Sequence, residues 1–210
     1  MTDSMQAIVD LQSRLRECRR CEHMIPPVVV GRPLLSPVIS IGQAPGEREG
    51  PAGKPFAWTA GKTLFKWFET LGVDEQAYRD HVYMAAVCRC FPGKNPKGGD
   101  RVPSKEEIAA CSFWLEQEFA LLKPRLVIPI GKLAIGNLMP VGKLTEVIGR
   151  QFEMQLWGMS ASVIPLPHPS GASTWHRTEP GRSLLQQALS LIGEHPSWKE
   201  IFSPSRVDQE

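Results

Sequence analysis

PVISIGQAPG, residues 37–46, is the stretch on which the fold turns. Val38, Ile39 and Ile41 make a short apolar run, and Gly42, Pro45 and Gly46 break it at once. Such a run reads as a buried strand over residues 38–41 followed by a turn. A short strand without polar alternation fits a parallel sheet, where both faces are covered.

The same signal recurs on moving outward along the chain. HVYMAAVCRC (81–90), RLVIPIG (125–131) and SVIPLP (162–167) read as three more core strands, and QFEMQLWG (151–158) as an extra hairpin. Helical segments lie between them. Ile8, Leu11 and Leu15 give residues 6–19 a helical spacing, and GKTLFKWFETL (61–71) is amphipathic. Pro103 precedes Ser104-Lys105-Glu106-Glu107, a capping-box pattern that opens a helix running to about Leu122. Residues 132–138 read as a short helix and residues 180–192 as a closing one. Helices that alternate with short apolar strands imply an α/β chain with a parallel sheet.

In such sheets ligands bind beyond the carboxyl ends of the strands. Three of these strands run into loops rich in chemistry: Gln43-Ala44-Pro45-Gly46, Cys88-Arg89-Cys90 and His168-Pro169-Ser170. A parallel sheet brings all three to one edge, so they form one candidate site. Trp175, His176 and Arg177 follow the third loop.

Composition narrows the class. With 42% hydrophobic and 22% charged residues over 210 positions, the chain has enough apolar surface to fold without staples. No apolar stretch approaches the ~20 residues of a membrane span. The N-terminal segment lacks the pattern of a secretory signal, so the expected location is the cytoplasm. Net charge is only +2. Its distribution is uneven, however: Arg89, Lys94, Lys97, Arg101 and Lys105 face a single acid, Asp100, over residues 89–105. That stretch reads either as a solvated loop or as a phosphate contact.

Five cysteines are present: Cys18, Cys21, Cys88, Cys90 and Cys111. Without a secretion signal, disulfides are not expected. Cys18 and Cys21 form a CxxC pair at the expected end of the first helix. Cys90 and Cys111 can complete a four-thiolate set, which suits zinc or an iron–sulfur cluster; spacing does not choose between them. Cys88 reads as a buried, inert thiol.

GQAPGEREGPAGKPF, the order CxxC … RCFPG … C, and HPSGAS together resemble the iron–sulfur-containing uracil-DNA glycosylases of bacteria and archaea. The resemblance runs from about Cys18 to the final helix. It implies a three-layer α/β/α sandwich around a short parallel four-stranded sheet. It further implies one domain over residues 1–210, whose N-terminal helix carries half of the cysteine site. The cluster ligands of the family match Cys18, Cys21, Cys90 and Cys111, and the implied cofactor is an iron–sulfur cluster of the 4Fe-4S type.

The implied activity is DNA repair: a damaged base, uracil first, is flipped out of the stack and its N-glycosidic bond hydrolysed by a monofunctional enzyme. Phe56, in Gly53-Lys54-Pro55-Phe56, matches the stacking aromatic of the family. His168 matches the donor to the departing base, and Glu49 matches an acidic residue suited to activating water, with Glu47 in reserve. Ala44 and Gly46 leave main-chain N–H groups open to the base, and Ser170 belongs to the substrate loop. Lys94, Lys97 and Arg101, with the Gly98-Gly99 hinge, read as a flexible phosphate-contacting loop. Ser173 and Arg177 are further expected DNA contacts. Trp175 reads either as a DNA wedge or as a packed core aromatic.

Two positions depart from the family. Gln43 replaces the usual acid; its amide orients water but accepts no proton at neutral pH. Ala86 stands where relatives carry the asparagine that reads uracil, so the base preference shifts or Gln43 supplies the amide. No histidine lies between Cys90 and Cys111, so covalent product trapping through a loop histidine is not expected. The expected partner is DNA with damaged bases, single- or double-stranded, with no membrane and a monomeric protein. Two alternatives remain: a non-catalytic or weakly active iron–sulfur protein that binds abasic or single-stranded DNA, and a zinc-stabilised protein acting on a small molecule.

Overall fold

A computed structural model describes residues 2–171 and 173–202. In chain order the elements are α1 (Thr2–Arg16), β1 (Val38–Gly42), α2 (Glu49–Ala52), α3 (Thr59–Glu69), α4 (Glu75–His81), β2 (Tyr83–Ala86), α5 (Lys105–Leu122), β3 (Leu126–Pro129), α6 (Lys132–Leu138), β4 (Phe152–Leu156), β5 (Met159–Val163), α7 (Gly181–Glu194) and α8 (Pro196–Phe202). Among the described residues no helix is long and apolar enough to cross a membrane.

The sheet order is β2-β1-β3-β5-β4. β1 pairs in parallel with β2 and β3, and β3 in parallel with β5. The four-stranded expectation needs one correction. β4 pairs antiparallel with β5 and adds a fifth strand at the edge, because QFEMQLWG turns back through Gly158 onto its neighbour. That edge strand alternates between half-buried and exposed residues until Leu156, as expected where water reaches one face.

Every residue of β1 is buried. Val38 faces a core built with Leu64, Phe65 and Phe68 of α3, Tyr78 of α4, Leu185 of α7 and Trp198 of α8. Ile39 and Ile41 face the opposite core, with Ile8 of α1 and Leu115 and Phe119 of α5. Two helical layers therefore enclose the sheet. The capping box forms as read: Ser104 Oγ accepts from the Glu107 amide, and the Glu107 carboxylate accepts from the Ser104 amide. The first helix ends earlier than its spacing implies, at Arg16, so Cys18 and Cys21 sit in the loop beyond it.

One buried polar network ties the layers. Arg89 and Glu118 form an ion pair with side-chain exposures of 3% and 0%. Glu118 also accepts from the Tyr83 hydroxyl at 2.7 Å, which in turn accepts from Gln12 of α1 at 3.2 Å. Arg89 Nε donates to the Ala86 carbonyl at 2.9 Å. Arg89 thus does not belong to the solvated basic stretch; it locks the exit of β2 to α5. Removing one partner strands a buried charge, so Glu118→Ala is expected to lose roughly 3–5 kcal/mol in a urea titration. The double change Arg89→Met with Glu118→Leu should lose less; an equal or larger loss would show that the pair itself supplies the stability.

Candidate active site

The parallel register fixes which loops meet. Gly42 of β1 lies beside Ala86 of β2. Ile130 donates to the Ile41 carbonyl, and Gly131 to the Leu166 carbonyl, both at 2.8 Å. The exits of β1, β2 and β5 therefore share one edge. Over it opens a cavity of ≈ 600 Å³, lined by Gln43, Ala44, Gly46, Glu49, Phe56, Ala86, His168 and Ser170, among others. That volume falls in the range of about 300–1,000 Å³ usual for small-molecule sites.

Phe56 is held in an unusual backbone conformation, with φ at 51°. A left-handed non-glycine residue costs roughly 1–3 kcal/mol, so something must enforce it. Arg79 of α4 does so. Its guanidinium donates to the Pro55 carbonyl at 2.9 Å and the Phe56 carbonyl at 3.1 Å, and to Glu75 at 2.8 Å. Gly61 admits the same backbone, since a Cβ there would lie 1.8 Å from the Phe56 oxygen. Gly42 leaves room for the ring, whose Cζ would be 3.1 Å from a Cβ at that position.

Glu49 opens the short helix α2. Burial pushes its carboxyl up to about 7, against the opposing pull of the Gly46, Phe56 and Ala57 amides and of Arg79. Glu47, the reserve acid, is exposed and pairs with Lys94 at 3.2 Å.

His168 is positioned by its own loop. Its Nδ1 accepts from the Ser170 amide at 3.2 Å. In the neutral ring that bond assigns the proton to Nε2, which becomes the donor. Burial lowers the imidazole pKa, with His176 adding to the effect, so the neutral ring is favoured. Gly131 makes this placement possible: its φ is +91°, and a Cβ there would meet His168 Cδ2 at 2.9 Å.

The basic stretch, expected to be a flexible phosphate-contacting loop, is held by its own main chain and by nearby acids. Asn95 donates to Gly99 and Arg101 to Gly93 through the main chain, closing a small hairpin. Lys94 pairs with Asp100 at 2.8 Å as well as with Glu47. Arg101 lines the cavity but pairs through both terminal nitrogens with Glu107, at 2.7 and 2.8 Å. Lys97 is exposed; Lys97, Ser173 and Arg177 are not among the cavity-lining residues. Trp175 packs against the core, as the second of its two readings has it. Sequence reasoning passed over Arg79, Gly131, Arg48 and Trp58. The last two line the cavity, and their closeness to Glu49 and Phe56 in the chain was the available signal.

A second, small cavity of ≈ 40 Å³ is lined by Cys18, Cys21, Cys90 and Cys111, with Leu15, Met24 and Val28. Trp114 Nε1 donates to Cys18 Sγ at 3.2 Å. Burial pushes the Cys21 and Cys90 thiols up to about 11, so they are neutral unless a cation holds them as thiolates. Cys88 is fully buried in the core and outside this lining. Among the described residues no three His, Cys, Asp or Glu side chains are set to hold a metal ion as they stand. The donors are all sulfur, a chemistry that suits iron–sulfur or zinc, and Arg19, Arg20 and Arg89 line the cavity beside them.

Comparison with known proteins follows the same lines. The sequence profile of the Uracil DNA glycosylase superfamily matches residues 29–192. A Type-4 uracil-DNA glycosylase of Saccharolobus solfataricus is 28% identical, over 95% of this chain and 89% of that protein. One of Thermotoga maritima is 30% identical, over 76% and 80%. One of Archaeoglobus fulgidus is 27% identical, over 79% and 83%.

Two stability outcomes follow from this geometry. A carboxyl raised from 4.5 to about 7 stabilises fully below 4.5 and loses that contribution as pH rises through 7. Glu49→Gln should therefore melt higher than wild type at pH 8 and match it at pH 4; a lower melting point at pH 8 would contradict this burial cost. Gly131→Ala combines a positive φ with a clash against the imidazole, and should lose about 1 kcal/mol or more in thermal melting.

Proposed function

The chain belongs to the uracil DNA glycosylase superfamily, and from that premise we propose that it removes a damaged base, uracil first, from DNA and leaves an abasic site. The observation that carries this reading is the cavity that Phe56, Glu49 and His168 share at one sheet edge. The likeness to proteins named Type-4 uracil-DNA glycosylase supports it.

The target nucleotide swings out of the stack and its base enters the cavity. Phe56 covers one face of the ring. As the C1′–N bond breaks, its electron pair moves onto the base, and the sugar gains oxocarbenium character. His168 Nε2–H donates to a base oxygen where the charge develops; a neutral donor suffices. Water attacks C1′ and gives its proton to the Glu49 carboxylate, while the Gln43 amide orients water or the base edge. Ala44 and Gly46 keep the main chain close, and Ser170 holds His168 in its tautomer. No electron transfer is needed. Cys18, Cys21, Cys90 and Cys111 would hold an iron–sulfur cluster, which would tie the loops around α1 and α5 together. The whole chain acts as one domain in this account.

Ala86 has no hydrogen-bonding side chain at the cavity wall, which favours a second reading: a weakly active protein that grips abasic or single-stranded DNA. Incubation with oligonucleotides containing uracil, hypoxanthine or no lesion, followed by alkali, separates the two. Strand breaks at uracil are expected; tight binding without breaks at any base would select the second reading.

Three results are expected beyond that assay. His168→Ala should lower excision about 10²–10³-fold while DNA binding survives; full excision would remove His168 from its role. Excision should fall as pH drops below about 7, because Glu49 then takes up a proton and no longer serves as base. A profile flat from pH 5 to 9 would remove Glu49. Purified protein should be brown, with broad visible absorption that Cys111→Ser abolishes and Cys88→Ala keeps. A colourless protein containing zinc would overturn the cluster.

A further inference from the structure

Charge bookkeeping around the cavity leads to a DNA contact outside the basic hairpin. Three cations line the cavity: Arg48, Lys94 and Arg101. Lys94 already faces Glu47 and Asp100, and Arg101 faces Glu107. Arg48 has no carboxylate within ion-pair distance among the described residues. Instead its guanidinium lies over the ring of Trp58, 5.4 Å from the centroid.

Trp58 is itself out of place for a core residue. It also lines the cavity, yet is 52% exposed, among the most exposed large apolar side chains of the protein. It stands two residues after Phe56, just before α3 begins at Thr59. Lys62, one helical turn further along α3, is exposed and has no ion-pair partner among the described residues. The rim here thus joins an open aromatic surface to positive charge that no carboxylate among the described residues pairs with. That combination fits single-stranded nucleic acid, in which bases stack on aromatic side chains and phosphates meet basic ones.

We propose that Trp58 and Arg48 form a platform at the cavity mouth: the indole stacks on a nucleobase flanking the extruded one, and the guanidinium meets a phosphate of that strand. The platform grips whichever flanking base is present, since a ring face carries no hydrogen-bond code. The hairpin around Lys94 and Arg101 then shapes the cavity wall, with the charges of those two residues already met by acids of this chain. This inference rests on the proposed action on DNA and adds a residue set that the basic stretch of sequence does not contain.

The test is fluorescence anisotropy with a labelled single-stranded oligonucleotide carrying a tetrahydrofuran abasic-site analogue, run over a series of salt concentrations. Base–aromatic stacking predicts about 5- to 150-fold weaker binding for Trp58→Ala, with most of the affinity restored by Trp58→Phe. Arg48→Ala should weaken binding and flatten the salt dependence by a slope of about 0.7 on the logarithmic plot. Lys94→Ala should lose less than Arg48→Ala. Trp58→Ala binding like wild type, or Lys94→Ala carrying the larger loss and the salt slope, would overturn the platform. Trp58 is exposed, and an unchanged melting curve confirms that its variants fold. The excision assay keeps the two readings apart. A wild type that excises nothing but loses DNA binding in Trp58→Ala sinks only the glycosylase reading. A wild type that excises uracil while Trp58→Ala and Arg48→Ala bind normally sinks only the platform.

Discussion

The buried pair of Arg89 and Glu118 is the interaction on which the rest depends. Burying two charges costs several kcal/mol per ion, and the pair persists only because its remaining groups are met. The Tyr83 hydroxyl donates to Glu118, and the Ala86 carbonyl accepts a hydrogen bond from Nε of Arg89. The pair stands at the hinge between two cavities. On one side Ala86 lines the cavity that holds Phe56 and His168; on the other Arg89 itself lines the cysteine cavity. Main-chain bonding extends the hold, because Val29 donates to the Arg89 carbonyl at 2.7 Å. The exit of β2 therefore has one course, and the loops that frame both cavities inherit it.

A second constraint acts at the same edge: close approach of main chain to side chain. Gly131 lets the His168 ring lie against β3, and Gly42 lets the Phe56 ring lie against β1. Neither ring has freedom to wander. The tautomer of His168 comes from a backbone amide and the backbone of Phe56 is clamped by Arg79, so the imidazole and the phenyl ring are set in place by the fold itself. Pre-organised dipoles of this kind need no reorganisation during reaction. The raised pKa of Glu49 belongs to the same design, since a carboxyl that burial destabilises as an anion is a stronger base.

Much of this was legible in the residues, and the exceptions share a cause. Strands β1, β2 and β3 announce themselves by local apolar runs, and α5 by its capping box, because both signals are contained within a few positions; β5, Met159–Val163, meets the apolar run read over 162–167 only at Ser162 and Val163, because its start is set by pairing with β4. α4, within DEQAYRDH, carries mostly polar residues and one buried tyrosine, so no periodicity marks it. β4 looked like a hairpin arm, which it is, but its joining the main sheet depends on a neighbour brought there by the fold. Charge was the least legible property. Arg89, Lys94 and Arg101 look alike along the chain, yet one is buried against Glu118 and two face acids supplied by their own or distant segments. Arg48 and Trp58 lie beside Glu49 and Phe56 in the chain, but only the fold shows that their side chains meet at the cavity. Motif order pointed to the loops that line the cavity; partnership was not readable, since it requires knowing which carboxylate lies across the gap.

The central claim is that a neutral imidazole donor and a phenyl ring, delivered by loops that lie far apart in the chain, address one flipped base. A crystal structure of the protein soaked with free uracil tests it most directly. The account predicts the ring stacked on Phe56, with an oxygen at about 3 Å from Nε2 of His168. Uracil bound elsewhere, or bound in this cavity with Nε2 turned away from it, would contradict the account.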